Sequence, residues 1–360
     1  MKNGALVFWI FLILLGKEVT QMSIIRRVIL AAVVFALWLA VPGLDAQTDL
    51  RKVKPGDDFL IIGHMGAPLE EPDNTIESFQ KALDLGANAI ETDLCMTKDG
   101  YIVLWHDWDP DEMIANFRQL GKQGLKCRPY APNLWERLRK PLPRLTLAEF
   151  RKGYGYTLKE RGLGTNKKLP HKIPTIEEFC QWAAGQNRLE KILFDIKIPK
   201  GQKSFVEPMV QRLVKALDAS GIKSRALLLV PNEDILEEIL PYTLYHDLQV
   251  CFDRELPAGI IINPSKFSSV KKALQHGLAF ASIGRPVATI MGYSIYKKII
   301  SYDLKLARIH NFATPPIPLE GIIAWTIDKP EEMRELITLG VRGILTNRPD
   351  VLKKVVDSLK

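Results

Sequence analysis

Closely spaced cysteines are missing. Cys95, Cys127, Cys180 and Cys251 stand far apart. They match neither a disulfide-dense scaffold nor a zinc knuckle, and leave room for one or two bridges at most. No G-x-G-x-x-G follows the first strand-like segment, so the usual dinucleotide-binding argument has no footing. Charge of one sign is also scarce: 49 Lys and Arg stand against 41 Asp and Glu, a formal +8 spread along the chain. That balance slightly favours anionic surfaces or substrates and excludes the basic stripe of a nucleic-acid binder. No zinc-finger spacing or aromatic-basic nucleic-acid module is present.

The 360 residues are 47% hydrophobic, enough for a full core. Gly4–Leu15 is apolar. A second unit starts at Met22, with Arg26 and Arg27 before an apolar run from Val28 to Val41, then Pro42 and small residues. This is the tripartite pattern of an export signal, and the run is shorter than the roughly 20 residues a membrane span needs. We read Met22 as the start and expect cleavage after Ala46, with an uncleaved anchor as the alternative. Either form puts the following domain outside the cytoplasm, periplasmic or secreted in the first case and membrane-anchored in the second. Removing residues 1–46 takes away four basic and two acidic residues and leaves +6. Residues 47–58, with Pro55-Gly56, read as a linker, and residues 59–360 as one domain.

Within that domain short apolar segments alternate with helical patterns. Strands are expected at Phe59–Gly63, Ala89–Leu94, Tyr101–Trp105, Lys191–Ile196, Ala226–Val230, near Thr243–Val250, at Gly259–Ile262, Leu278–Ile283, Ile322–Ile327 and Val341–Thr346. Of Gly259–Ile262 and Leu278–Ile283, one is allowed as an excursion outside the core. Helices are expected after Asn74-Thr75, over Phe205–Ser220, over Glu233–Leu240 with Pro241 as its stop, and over Glu331–Leu339. Such alternation means a mostly parallel sheet, and about eight strands fit an α/β fold of the (β/α)8 TIM-barrel type, with an open doubly wound sheet as the alternative. Two long insertions interrupt it. Trp108–Lys172 is rich in Arg and Pro. Gly284–Leu319 carries Tyr293, Tyr296 and Lys297 and reads either as an interfacial helix or as a solvated helix packed on its apolar side.

Chemistry-bearing residues gather where strands end. His64 follows the first strand, Glu91 and Asp93 share one face of the second, and His106-Asp107 closes the third. Asp195 and Lys197 repeat the spacing of two at the fourth. In a barrel mouth Glu91, Asp93 and Asp195 would converge and repel one another unless a cation lay between them. Three hard oxygen donors suit Mg²⁺ or Ca²⁺. With a histidine on either side, this is the equipment for phosphoryl transfer by general acid and base.

The stretch HMGA…PDNTIESFQKALDLGANAIETDLCMTKDGYIVLWHD resembles the signature of the glycerophosphodiester phosphodiesterase family, as do HKIPTIEEF and the closing AWTIDKPEEMRELITLGVRGILTNRPD. The likeness runs roughly from Phe59 to Leu352. It implies His64 and His106 as the acid/base pair and Glu91, Asp93 and Asp195 as ligands of one divalent cation. It further implies Lys197 as a phosphate-neutralising residue, Asn74 as the holder of the first catalytic loop and Trp325 near the glycerol end of the substrate. The implied reaction is attack on phosphorus by the glycerol 2-hydroxyl or by water, with glycerol 3-phosphate as final product. The sequence departs from the family where arginine is usual and Met65 stands, and where glutamate is usual and Asp73 and Asp195 stand. The His-Met and Asp-x-Lys pairs also resemble sphingomyelinase D relatives on the same barrel. A lysolipid or sphingolipid substrate, with contact to a membrane surface, is therefore the alternative to a soluble diester. A non-catalytic phosphodiester-binding barrel is the third reading.

Overall fold

The computed structural model describes residues 58–158, 167–255, 264–285 and 292–360. The leader, the linker as far as residue 57 and the expected strand Gly259–Ile262 lie outside the described residues. Among these residues no helix is long and apolar enough to cross a membrane.

Eight parallel strands form the frame. They are β1 (Leu60–Gly63), β2 (Ala89–Met96), β6 (Lys191–Ile196), β7 (Ala226–Val230), β8 (Gln249–Glu255), β9 (Phe280–Gly284), β10 (Gly321–Trp325) and β11 (Gly343–Thr346). Each pairs with the next, and β1 pairs with both β11 and β2, so the sheet closes on itself. The expected third strand is not part of the ring. It forms β3 (Ile102–Leu104), antiparallel to β2, because the Lys98-Asp99-Gly100 turn is too short for anything but a hairpin return. The short antiparallel pair β4 (Cys127–Tyr130) and β5 (Gly155–Leu158) stands apart in the first insertion.

Helices between strands form the outer layer. α1 (Ile76–Asp84) starts where the Thr75 hydroxyl accepts from the Ser78 amide. In the first insertion lie α2 (Met113–Gln119) and α3 (Leu147–Gly153), followed by α4 (Ile176–Ala184), α5 (Val206–Ser220) and α6 (Glu233–Tyr245). Both α3 and α4 open with a threonine–glutamate capping box. Pro241 does not end α6. The helix continues to Tyr245, Thr243 Oγ1 donates to the Leu240 carbonyl, and the expected strand begins only at Gln249. α7 (Ser269–Gln275) precedes β9. The second insertion is α8 (Gly292–Phe312), an ordinary outer helix that buries Tyr296, Ile299, Ile300 and Leu304. α9 (Pro330–Leu339) and α10 (Pro349–Asp357) complete the layer.

Strand alternation divides the core in two. Phe59, Ile61, Ile90, Leu94 and Phe194 face the helices. Leu60, Ile62, Ala89, Leu193, Leu227, Leu229, Cys251, Phe280, Ile323 and Leu345 fill the barrel interior. All four cysteines are buried and free, so no bridge joins them.

Candidate active site

The interior parity extends beyond the apolar plug. Counting in twos along the inward face leads from Ile62 to His64, from Ala89 to Glu91 and Asp93, from Leu193 to Asp195 and Lys197, from Cys251 to Asp253, from Ile323 to Trp325 and from Leu345 to Asn347. Polar side chains replace apolar ones toward the carboxyl ends of the strands. Asp93 and Asp195 sit opposite each other in the β2–β6 register.

Glu91, Asp93 and Asp195 each offer a carboxylate oxygen, and the three oxygens lie within 4.8 Å of one another. Lys197 Nζ is 3.0 Å from Asp93 Oδ1 and also pairs with Asp195 Oδ2. One ammonium against three carboxylates leaves a formal −2. Asp195 Oδ1 is buried without a partner among the described residues. Both facts fit a divalent cation held by oxygen donors. Burial, followed by the charges of Asp93 and Asp195, pushes the Glu91 carboxyl well above its ordinary range. Burial opposes ionisation of Asp93 as well, but Lys197, His106, Arg118 and the Asn74 hydrogen bond outweigh it and hold that group low.

The first loop is fixed onto these acids. The Met65 amide donates to Glu91 Oε2 at 2.9 Å, and its carbonyl accepts from the Asn74 amide and the Ser78 hydroxyl, both at 3.0 Å. Asn74 Nδ2 donates to Asp93 Oδ2 at 2.7 Å, while its Oδ1 accepts from Thr92 Oγ1 and the Asp93 amide. Asn74 has φ 56°, a left-handed conformation asparagine tolerates. Gly66, at φ 90°, is required: an added Cβ would sit 2.6 Å from the Ser78 carbonyl carbon.

Each histidine has a defined partner. Asn347 Nδ2 donates to Asp328 Oδ2 at 2.8 Å, which turns Asn347 Oδ1 toward His64 Nδ1, also at 2.8 Å. His64 therefore donates from Nδ1 and keeps a lone pair on Nε2. Burial is the main cause that lowers its pKa below the ordinary histidine value; the Asn347 bond, Asp93 and Asp328 oppose it only in part. His106 Nδ1 is 2.7 Å from Asp107 Oδ1.

Arg118, from α2, lies beside Met65, with Nη1 3.7 Å from the sulfur. Its side chain is 1% exposed. Nη2 donates to Asp73 Oδ2 at 2.7 Å, and Nε forms an ion pair with Asp107 Oδ1 at 3.1 Å. Two of the three departures from the family pattern, Met65 and Asp73, thus meet at one arginine. Through Asp107 it also braces His106. Sequence reasoning missed Arg118, because α2 carries no motif. It also missed Asn347, which the count in twos along its strand would have found, and Asp253, which lies past the end of the strand expected near Thr243–Val250. Asp253 accepts from Trp325 Nε1 at 2.6 Å. Burial, then the charge of Asp195, raises its carboxyl to about 7. The Trp325 ring lies over Gly284, where any Cβ would collide with it.

The second insertion contributes less. Tyr296 is buried and donates to the Ile283 carbonyl, Tyr293 donates to the Glu332 carbonyl, and Lys297 pairs with Glu335. The packed-helix reading holds for this segment, since its apolar side meets the barrel. His310 bonds to the carbonyl of Ile317, at the end of β10 remote from the mouth.

Residues 64–239 match the family model described as the glycerophosphoryl diester phosphodiesterase family. A glycerophosphodiester phosphodiesterase of Caldanaerobacter subterraneus is 24% identical over 307 residues, 82% of this chain and 97% of that one. The mouse glycerophosphoinositol inositolphosphodiesterase GDPD2 is 26% identical over 198 residues, 55% of this chain. The match takes in only 35% of that longer mouse protein. Two solved structures share the fold. A glycerophosphodiester phosphodiesterase from Parabacteroides distasonis has a TM-score of 0.58 at 17% identity, covering 85% of this chain and 98% of that one. A phosphodiesterase of Oleispira antarctica in complex with the product sn-glycerol-3-phosphate has a TM-score of 0.53 at 16% identity, covering 82% and 96%.

Proposed function

From the match of residues 64–239 to the glycerophosphoryl diester phosphodiesterase family and the likeness to two full-length bacterial members, we propose that the chain is of that family and hydrolyses glycerophosphodiesters to glycerol 3-phosphate and an alcohol. The observation that carries this reading is the trio Glu91, Asp93 and Asp195 within 4.8 Å, with an imidazole from each of two neighbouring loops. Mg²⁺ or Ca²⁺ held by the three carboxylates would draw charge from the phosphate oxygens.

The chain's own residues divide the remaining work. His64, neutral and with a lone pair on Nε2, takes the proton from the attacking glycerol 2-hydroxyl or water. His106, donating through Nδ1 to Asp107, hands a proton to the leaving alcohol oxygen. Lys197 offsets phosphate charge, and Asn74 holds the Met65 turn against Asp93. Trp325, fixed by Asp253, borders the glycerol end. Met65 does not argue for a dead barrel: its backbone holds Glu91, and the cation of Arg118 lies beside its side chain. We also place the domain outside the cytoplasm, on the strength of the Arg26-Arg27 pair and the Val28–Val41 run.

Phosphorus NMR of the protein incubated with glycerophosphocholine and Mg²⁺ or Ca²⁺ tests the reaction. Glycerol 3-phosphate is expected as the final phosphorus product. A stable cyclic phosphate lipid formed from lysophosphatidylcholine, with glycerophosphocholine untouched, would replace this reading with head-group cleavage of a lipid.

A further inference from the structure

Helix α2 has two unlike faces. Ala115 and Arg118 point inward, and Arg118 locks both catalytic loops. Met113, Ile114, Phe117 and Leu120 point outward and are 89%, 44%, 40% and 65% exposed. Later in the same insertion Leu134 is 71% and Trp135 95% exposed. Arg139 fastens that second segment to the helix. It pairs with Asp111 at 2.7 Å and donates to Gln119 Oε1, to the Pro110 carbonyl and to the Pro132 carbonyl. Arg139 thus holds both exposed apolar segments, α2 and Leu134-Trp135, on one braced frame. A lone exposed leucine is ordinary, but clustered large apolar groups topped by a bare tryptophan are not.

The charges around the surface point to its occupant. Residues 109–140 hold seven Lys and Arg against four Asp and Glu. Asp111 is neutralised by Arg139, and Glu136 is turned back onto Asn133. Lys122, Arg137 and Lys140 are exposed, Arg137 lying 3.9 Å from Glu149, and the one exposed acid of the segment without such a partner among the described residues is Glu112 at the start of α2. Apolar groups with tryptophan, on a segment with a net excess of cations, match the boundary layer of an anionic phospholipid surface. A protein partner would more often meet depleted lysine and a packed apolar centre.

We propose that the outer face of α2, with Leu134 and Trp135, is an interfacial docking surface that seats the barrel mouth on an anionic phospholipid membrane. The surface begins seven residues after His106, so docking would bring the catalytic mouth close to lipid head groups. Only the last step, that substrate arrives from that layer, rests on the phosphodiesterase reading.

The test uses the full chain with Leu134→Cys carrying a solvatochromic dye. The four native cysteines are buried, so labelling is selective. Asn187→Cys, before β6 at the opposite end of the barrel, carries the control dye. Vesicles of equal parts phosphatidylcholine and phosphatidylglycerol are expected to shift the dye at 134 to the blue and leave that at 187 unchanged. Added Met113→Ser and Leu120→Ser should weaken the response on the order of tenfold, with soluble glycerophosphocholine turnover retained. No shift at 134, or equal shifts at both positions, would overturn the proposal. So would a shift at 134 that grows with protein concentration without lipid, because the face would then pair with a second copy. Loss of turnover by the unlabelled wild type on the soluble diester would count against the enzyme reading alone.

Discussion

Arg118→Met removes one cation and leaves two buried carboxylates facing each other's loops. Asp73 and Asp107 are 5% and 3% exposed at their side chains, so water does not replace the guanidinium. Breaking a buried ion pair by deleting one partner costs about 3–5 kcal/mol. Against a typical total of about 5–15 kcal/mol, that is a large fraction. For a domain of about 300 residues it corresponds to a fall of roughly 5–8 °C in Tm. The pH dependence has a definite sign. Burial is the largest influence on Asp107 and raises its pKa, but Arg118 and His106 more than offset it, so the carboxyl is held below its ordinary value. A depressed carboxylate stabilises the fold above its unfolded pKa of about 4, and that contribution is lost as pH falls through the depressed value. Without Arg118, burial prevails and Asp107 takes up its proton more readily. The deficit of the variant should therefore be greatest near pH 7 and shrink toward pH 5. Urea unfolding at the two pH values measures it. Arg118→Lys keeps the charge but cannot present separate nitrogens to both acids, and should recover only part of the loss. A variant within about 0.5 kcal/mol of wild type at pH 7, the range of an ordinary surface substitution, or a deficit that grows in acid, would refute the reasoning.

Other consequences are equally direct. Since burial lowers the pKa of His64, a base of this kind stays active below the ordinary histidine value; the acid limb of kcat/KM should lie under pH 6.5, and a limb above it would remove His64 from that role. Asp195→Ala takes away an oxygen donor whose Oδ1 has no other partner among the described residues. Calorimetric titration with Mg²⁺ or Ca²⁺ should show affinity reduced on the order of tenfold or more, whereas unchanged affinity would put the cation elsewhere. Gly66→Ala drives a Cβ against the Ser78 backbone in a left-handed turn. It should cost about 1–3 kcal/mol in urea unfolding, and a neutral result would mean that the turn relaxes.

Much of the barrel was legible because its strands are short, apolar and bounded by turn residues. β1, β2, β6 and β7 needed little more than their composition. Tyr101–Trp105 misled because an apolar run does not reveal whether it joins its neighbour in parallel or folds back; the length of the turn before it does. Pro241 misled because losing one amide hydrogen bond was less than the packing of α6 could bear. The second insertion left two helical readings open because its apolar residues alternate with lysine and tyrosine, a pattern shared by a helix at a lipid interface and one packed on a barrel.

The site was legible where a motif placed charge on an apolar strand, as with Glu91, Asp93 and Asp195. It was illegible where partners come from far along the chain. The bond between His64 and Asn347 spans 283 residues, and Arg118 reaches Asp73 across 45. No local spacing encodes such contacts. Asp253 lay between these cases: its strand was only half recognised, so its inward parity could not be counted.

The most direct measurement is release of glycerol 3-phosphate from glycerophosphocholine, followed with Mg²⁺ or Ca²⁺ and again with chelator, in wild type and in His106→Asn. The wild type should lose turnover to the chelator and regain it with the cation. The substitution should lower kcat about 10²–10⁴-fold with the fold retained. Turnover that persists in chelator and survives the change at His106 would contradict the pairing of acidic cage and histidines on which the reaction depends.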